Sequence, residues 1–146
     1  MGNEEPVRRV IEWDEYNELV SHIAAQIGDD VPDVVVGLTR GGLVPAVQLS
    51  HMFNVPLIPL NISLRDGKCA NTTFDYDLIK DYQHPLVVDD INDSGSTLRE
   101  VLEMIGPFPG SFAALLSKDS SEFKCNYSGE LINTHKDNEW IVFPWE

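Results

Sequence analysis

The stretch LVVDDINDSGSTLRE runs from Leu86 to Glu100 and leads a short apolar run straight into Asp89, Asp90 and Asp93, then into Ser94, Gly95, Ser96 and Thr97. Carboxylates this crowded repel one another, so they imply a cation or a set of hydroxyl groups to face. The small residues that follow imply the opposite. At the start of a helix, their backbone N–H groups and hydroxyls join the positive helix end in a cradle for phosphate. A second loop, Leu38-Thr39-Arg40-Gly41-Gly42, follows the apolar run DVVVG. Its glycines let the backbone approach a ligand closely, and Arg40 offers a planar fork that suits phosphate. Two anion sites with carboxylates between them suggest a substrate with phosphate at both ends. A ribose bearing a 5-phosphate and a pyrophosphate meets that demand, with Asp89 and Asp90 facing the sugar or a Mg²⁺ that also holds pyrophosphate oxygens.

Both loops need strands to aim them. Trp13 to Ile27 carries Tyr16, Leu19, Val20, Ile23, Ala24 and Ile27 on one helical stripe, with Asp14 as expected N-cap and Gly28 as stop. Asp33 to Gly37 is nearly all apolar, as in a strand buried on both faces of a parallel sheet. Leu43 to Phe53 reads as a helix, with Pro45 tolerated in its first turn. Val55 to Ile62 reads as a strand whose two prolines suggest an edge position or an imperfect ladder. Ser63 to Asp77 is polar and aperiodic, and is expected to be a long surface loop. Leu86 to Asp89, Ser96 to Ile105 and Ser111 to Ser117 continue as strand, helix and strand, and Trp140 to Trp145 is a final strand or an apolar flap. The alternation predicts an α/β fold with a mostly parallel central sheet flanked by helices.

The chain of 146 residues is expected to form one domain, 1–146. Its net charge of −14, with ten scattered basic residues, argues against nucleic acid or an anionic membrane as partner. Cys69 and Cys125 lie far apart with no metal-ligand spacing, which fits a reducing cytoplasm better than a disulfide framework. No run of residues approaches the length of a membrane span.

VVDDINDSGST matches, element by element, the binding motif of type I phosphoribosyltransferases: hydrophobic residues, two acidic residues, a hydrophobic residue, any residue, Asp, Ser or Thr, Gly, any residue, Thr. Within that family the chain most resembles the 6-oxopurine, xanthine-guanine type. That narrower likeness is carried by LTRGGLVPA, by Lys118 after a long strand, and by WIVFPWE at the C-terminal end. The resemblance implies transfer of ribose 5-phosphate from phosphoribosyl pyrophosphate to N9 of guanine, xanthine or hypoxanthine, giving a nucleoside monophosphate. Mg²⁺ is the implied cofactor and a homo-oligomer, dimer or tetramer, the implied assembly.

By the same matching, Thr39, Arg40 and Gly41 bind pyrophosphate across a cis peptide at Thr39-Arg40, and Ser94 to Thr97 hold the 5-phosphate. Asp93 is the general base or acid at the purine imidazole. Lys118 donates to O6, Trp140 stacks on the base, and backbone carbonyls near Trp140 and Ile141 accept from its edge. The 63–77 loop and the C-terminal segment supply a hood, with Arg65 and Lys68 as candidate closers on pyrophosphate. Plainer readings stand beside these: Asp93 as a helix cap, Lys118 as a solvated strand-end lysine, Trp140 as a core or interface aromatic. His22, His51, His84 and His135 fit no ligand or nucleophile pattern. The motif alone also admits an enzyme for another nucleobase, or a non-catalytic protein that senses phosphoribosyl pyrophosphate or nucleotide.

Overall fold

The computed structural model describes residues 7–65, 68–72, 76–105, 109–133 and 139–146. In chain order the elements are β1 (Val7–Val10), α1 (Trp13–Ile27), β2 (Val34–Thr39), α2 (Leu43–Phe53), β3 (Leu57–Arg65), β4 (Lys68–Thr72), a 3₁₀ turn (Tyr76–Leu78), β5 (Pro85–Asn92), α3 (Ser96–Ile105), β6 (Ser111–Lys118), β7 (Tyr127–Ile132) and β8 (Glu139–Val142). Six strands form one sheet in the order β4-β3-β2-β5-β6-β7, and β1 and β8 form a separate parallel pair. Among the described strands of the large sheet, β4 alone runs antiparallel.

The apolar strands are buried on both sides, as their composition demands. Val35, Leu86 and Val88 face a core shared with Tyr16, Leu19, Val20 and Ile23 of α1 and with Ala46 and Leu49 of α2. Val36 and Val87, their neighbours in sequence, face Leu98, Val101 and Ile105 of α3 on the other side. The period-two alternation of a strand thus divides one apolar run between two helical layers. Both helix spans in the N-terminal half fall where the periodicity puts them. Gly28 caps α1 at φ 56°, its N–H donating to the Ala24 carbonyl at 3.1 Å.

Three expectations need correction. The N-cap of α1 is Glu12, not Asp14, which lies inside the first turn; Glu12 makes no side-chain capping bond. The segment 63–77 is not one loop: β3 continues to Arg65 and pairs back with β4 in a hairpin with a bulge at Ser63/Leu64. The β-branched and apolar residues at the end of β3 supply enough ladder to extend the strand, a signal hidden by the polar residues between them. Residues 66–67 and 73–75 of that expected hood lie outside the described residues. β3 is interior in the strand order, but β4 pairs only its Ile62–Arg65 end, so the ladder around Pro59 is the imperfect one its prolines suggest. Its prolines are accommodated because Pro56 precedes the strand, and because Pro59 lies opposite Gly37 in the half of β3 that only β2 pairs. Finally, β5 extends through Asn92 rather than ending at Asp89, so Asp90 sits within the strand rather than after it.

β1 and β7 had no clear signature, being short and mixed in polarity. β7 is one edge of the sheet, β4 being the other, and α1 packs against it. The Gln26 carboxamide donates to the Ser128 carbonyl at 2.7 Å and accepts from the Ser128 N–H at 3.2 Å, which satisfies backbone groups an edge would expose. Arg9 joins β1 to both neighbours by pairing with Glu15 at 2.8 Å and with Glu130 at 2.7 Å. Among the described residues no helix is long and apolar enough to cross a membrane.

Candidate functional site

β2 and β5 lie side by side, yet the chain leaves them in opposite directions, through α2 to β3 and through α3 to β6. Such a switch point opens a crevice beyond the carboxyl ends of the two strands. The TRGG loop and the DSGST loop are the two walls of that crevice.

On the β5 side, Gly95 adopts φ +93° and is buried, and a Cβ there would stand 2.6 Å from the Phe123 N. Only glycine fits that turn. Ser94 Oγ accepts from the Ser96 N–H at 3.2 Å and donates to Ser96 Oγ at 3.0 Å, while the Ser94 carbonyl accepts from Glu122 N at 3.1 Å. Beneath the loop Asn92, 2 % exposed, donates to the Phe123 carbonyl at 2.7 Å and accepts from Ser121 Oγ at 2.8 Å. These bonds hold the start of α3 open toward a cleft of about 350 Å³ lined by Thr39, Gly41, Asp89, Asp90, Asp93 and Ser94–Thr97.

On the β2 side, the Thr39-Arg40 peptide is cis, as the resemblance implied. Thr39 Oγ1 donates to Asn61 Oδ1 at 3.1 Å. Gly41 presses against the Asp90 carboxylate so closely that a Cβ would collide with it. Arg40 is exposed and, with Gly41, Asp90, Trp145 and Glu146, lines a second cleft of about 530 Å³.

Asp89 and Asp90 stand between the two loops. Each carboxylate folds back on the next backbone N–H, Asp89 on Asp90 N at 2.8 Å and Asp90 on Ile91 N at 2.7 Å. Burial, and then the charge of Asp90, push the Asp89 carboxyl well above the usual carboxylate range. A cation would relieve that cost, so the pair fits Mg²⁺. Among the described residues no group of three or more His, Cys, Asp or Glu could hold a metal. The pair would supply part of the ion's oxygens, leaving the rest to substrate and water.

The third part of the site joins distant segments. Lys118, at the end of β6, pairs with Asp93 Oδ1 at 2.9 Å; the lysine side chain is 19 % exposed and the aspartate 66 %. Across from them lie Trp140 and Ile141 of β8, with Phe143, around a cleft of about 200 Å³. The expected site residues thus all line one crevice, and Asp90 borders all three clefts. Glu139, Phe143, Trp145 and Glu146 also line it, although the sequence reading assigned them no part. Asn92 was missed as well, because the motif accepts any residue there. Side chains of the expected closers Arg65 and Lys68 lie outside the described residues, although their backbones pair in the β3–β4 hairpin.

A mostly parallel sheet with a serine- and glycine-rich helix start and a glycine-rich turn at its switch point is an α/β architecture of the type I phosphoribosyltransferase fold. The chain belongs to the phosphoribosyl transferase domain family, whose model matches residues 12–146. It is 28 % identical to the xanthine-guanine phosphoribosyltransferase of Roseobacter denitrificans, over 93 % of this chain and 84 % of that one. The crystal structure of a purine phosphoribosyltransferase from Pyrococcus horikoshii superposes with a TM-score of 0.78 at 29 % identity, covering 95 % of this chain and 94 % of the other. The Helicobacter pylori xanthine-guanine-hypoxanthine phosphoribosyltransferase gives 0.79 at 25 %, covering 97 % and 93 %.

Proposed function

We propose that the protein is a purine-salvage enzyme that transfers ribose 5-phosphate from phosphoribosyl pyrophosphate to N9 of a 6-oxopurine and releases pyrophosphate. The observation that carries this reading is the meeting of three clefts at Asp90. A ribose whose anomeric carbon exchanges one substituent for another needs such a junction: 5-phosphate along one branch, leaving pyrophosphate along the second, incoming base along the third. The relatives' names support the same substrate class.

In this reading the N–H groups and hydroxyls of Ser94, Gly95, Ser96 and Thr97 bind the 5-phosphate. Thr39, Arg40 and Gly41 hold the pyrophosphate, with the Arg40 guanidinium taking up charge as the C1–O bond breaks. Asp89 and Asp90 face the ribose hydroxyls and stabilise the positive charge that develops on the sugar. Asp93 accepts the proton from the purine imidazole as N9 attacks, or returns it in the reverse direction. Lys118 donates to O6 and cannot accept a hydrogen bond, so it selects an oxo group over the amino group of adenine. Trp140 stacks on the base while backbone carbonyls at Trp140 and Ile141 accept from its far edge. Bound Mg²⁺, held by Asp89 and Asp90 directly or through water and substrate, would neutralise charge on the pyrophosphate.

One catalytic domain spanning 1–146, working in the cytoplasm as a homo-oligomer, completes the proposal. Val47 and Met52, exposed on α2, are apolar positions that a second copy would cover. The decisive assay incubates the protein with Mg²⁺, phosphoribosyl pyrophosphate and each nucleobase in turn, following pyrophosphate release. Guanine, xanthine or hypoxanthine should give release and adenine, orotate and uracil should not. Silence with every base would leave a sensor of phosphoribosyl pyrophosphate as the better reading.

A further inference from the structure

The base cleft carries an unusual charge balance for a site that recognises an uncharged ring. Its lining includes the carboxylates of Asp90, Asp93, Glu139 and Glu146, and among the described residues a single cation, Lys118. Two of these carboxylates are already engaged: Asp93 pairs with Lys118 at 2.9 Å, and Glu146 Oε1 accepts from the Phe143 N–H at 2.8 Å. Asp90 borders all three clefts and turns onto the Ile91 N–H. Glu139 stands apart from these. It is half-buried, opens β8, and lines the cleft beside Trp140 and two residues from Ile141, on the strand that faces Lys118 across the cavity.

We infer that Glu139 is a specificity-determining residue that sets this enzyme toward guanine and against xanthine, an inference that rests on the 6-oxopurine reading above. With O6 on Lys118 and the imidazole on Asp93, the base turns its N1 and C2 edge toward β8. Guanine presents donors there, an N1–H and a 2-amino group. A carboxylate at the C2 end accepts from the 2-amino group beside the backbone carbonyls of Trp140 and Ile141 and does nothing else, since an ionised glutamate has no proton to donate. Hypoxanthine keeps the N1–H but has no group at C2. Xanthine places an acceptor oxygen at C2 and loses a proton near neutrality, so it brings lone pairs and partial negative charge to a carboxylate that cannot answer either. The discrimination is therefore repulsive as well as attractive, the combination that separates near-isosteric ligands most effectively.

The test compares kcat/KM for guanine, hypoxanthine and xanthine, at one pH and saturating phosphoribosyl pyrophosphate, in the native protein and in Glu139→Gln and Glu139→Asp. The native order should be guanine, hypoxanthine, xanthine. Glu139→Gln supplies an amide N–H to the xanthine oxygen and removes the charge, so the xanthine-to-guanine ratio should rise on the order of tenfold, the scale of one charge-assisted hydrogen bond. Glu139→Asp keeps the charge and should keep the native order, a result that a merely structural role would not distinguish from Gln. An unchanged ratio in Glu139→Gln, or a native preference for xanthine, overturns the inference while leaving the 6-oxopurine enzyme intact. Absence of turnover with all three bases, in a protein that turns over another base, overturns the 6-oxopurine reading itself and this inference with it.

Discussion

At the Ser94–Thr97 end of the crevice, the proposed phosphate site, the turn is braced from beneath by buried side chains, whereas at the proposed base end Trp140 and Asp93 face solvent. Asn92 and Ser121, each 2 % exposed, brace the turn around Gly95, and the turn in turn fixes the start of α3. Trp140 is 62 % exposed and the Asp93 side chain 66 %. The contrast follows from what each end must bind. A phosphate is the same on every substrate, so its donors are best preorganised, and preorganisation comes from burial and satisfied partners. A base differs between substrates, and its proposed site is assembled from β5, β6 and the small β1–β8 sheet.

Breaking the base end should therefore cost catalysis and leave stability alone. Asp93→Asn should lower kcat by roughly 10²–10⁴-fold, the range of one general acid–base group, with little change in the Kd for phosphoribosyl pyrophosphate. Equal losses in both would reduce Asp93 to a binding residue. The phosphate end should respond in the other way. Gly95→Ala forces a Cβ into the Phe123 backbone at φ +93°, and should destabilise the fold by about 2 kcal/mol in urea titration while weakening phosphoribosyl pyrophosphate binding.

A third change sharpens the comparison. Trp140→Ala should raise the KM for the base roughly tenfold by removing its stacking surface, while shifting stability by no more than about 0.5 kcal/mol, because the ring is mostly exposed. A large loss of stability would mean that Trp140 is a structural aromatic after all.

The smallest effect concerns what holds the small sheet beside the large one. Arg9 lowers the Glu130 carboxyl below its ordinary 4.5, chiefly through their hydrogen bond. A lowered native value means the folded chain binds that proton less readily than the unfolded one. The pair's contribution is then whole above pH 4.5 and is lost as the pH falls through the lowered native value. Glu130→Gln should flatten that acid-side slope of Tm by a small amount, since both groups are partly solvated. An unchanged slope would remove the pair from the acid response.

Legibility in the sequence followed the range of the interactions involved. α2 and α3 fall on the expected residues because apolar spacing and a glycine-rich start are read within one or two turns. The turn of Ser94 to Thr97 that opens α3 was legible for the same reason. The β3–β4 hairpin was not, because its stability lies in cross-strand pairs rather than in either segment's own pattern. β7 was missed because an edge strand needs little apolar character when helix side chains such as Gln26 satisfy its backbone. Asn92 carried no signal, since its role depends on Ser121 and Phe123 arriving from the loop after β6.

The sequence by itself determined the alternation of elements, the phosphate-binding motif and the family, all of which rest on local spacing and local backbone chemistry. Only the tertiary structure decided that Lys118 meets Asp93, that β8 closes the base cleft and that Glu139 lines it. Those are encounters between residues on different strands, set by sheet order and by the pairing of β8 with β1, and no local pattern encodes the distance between them.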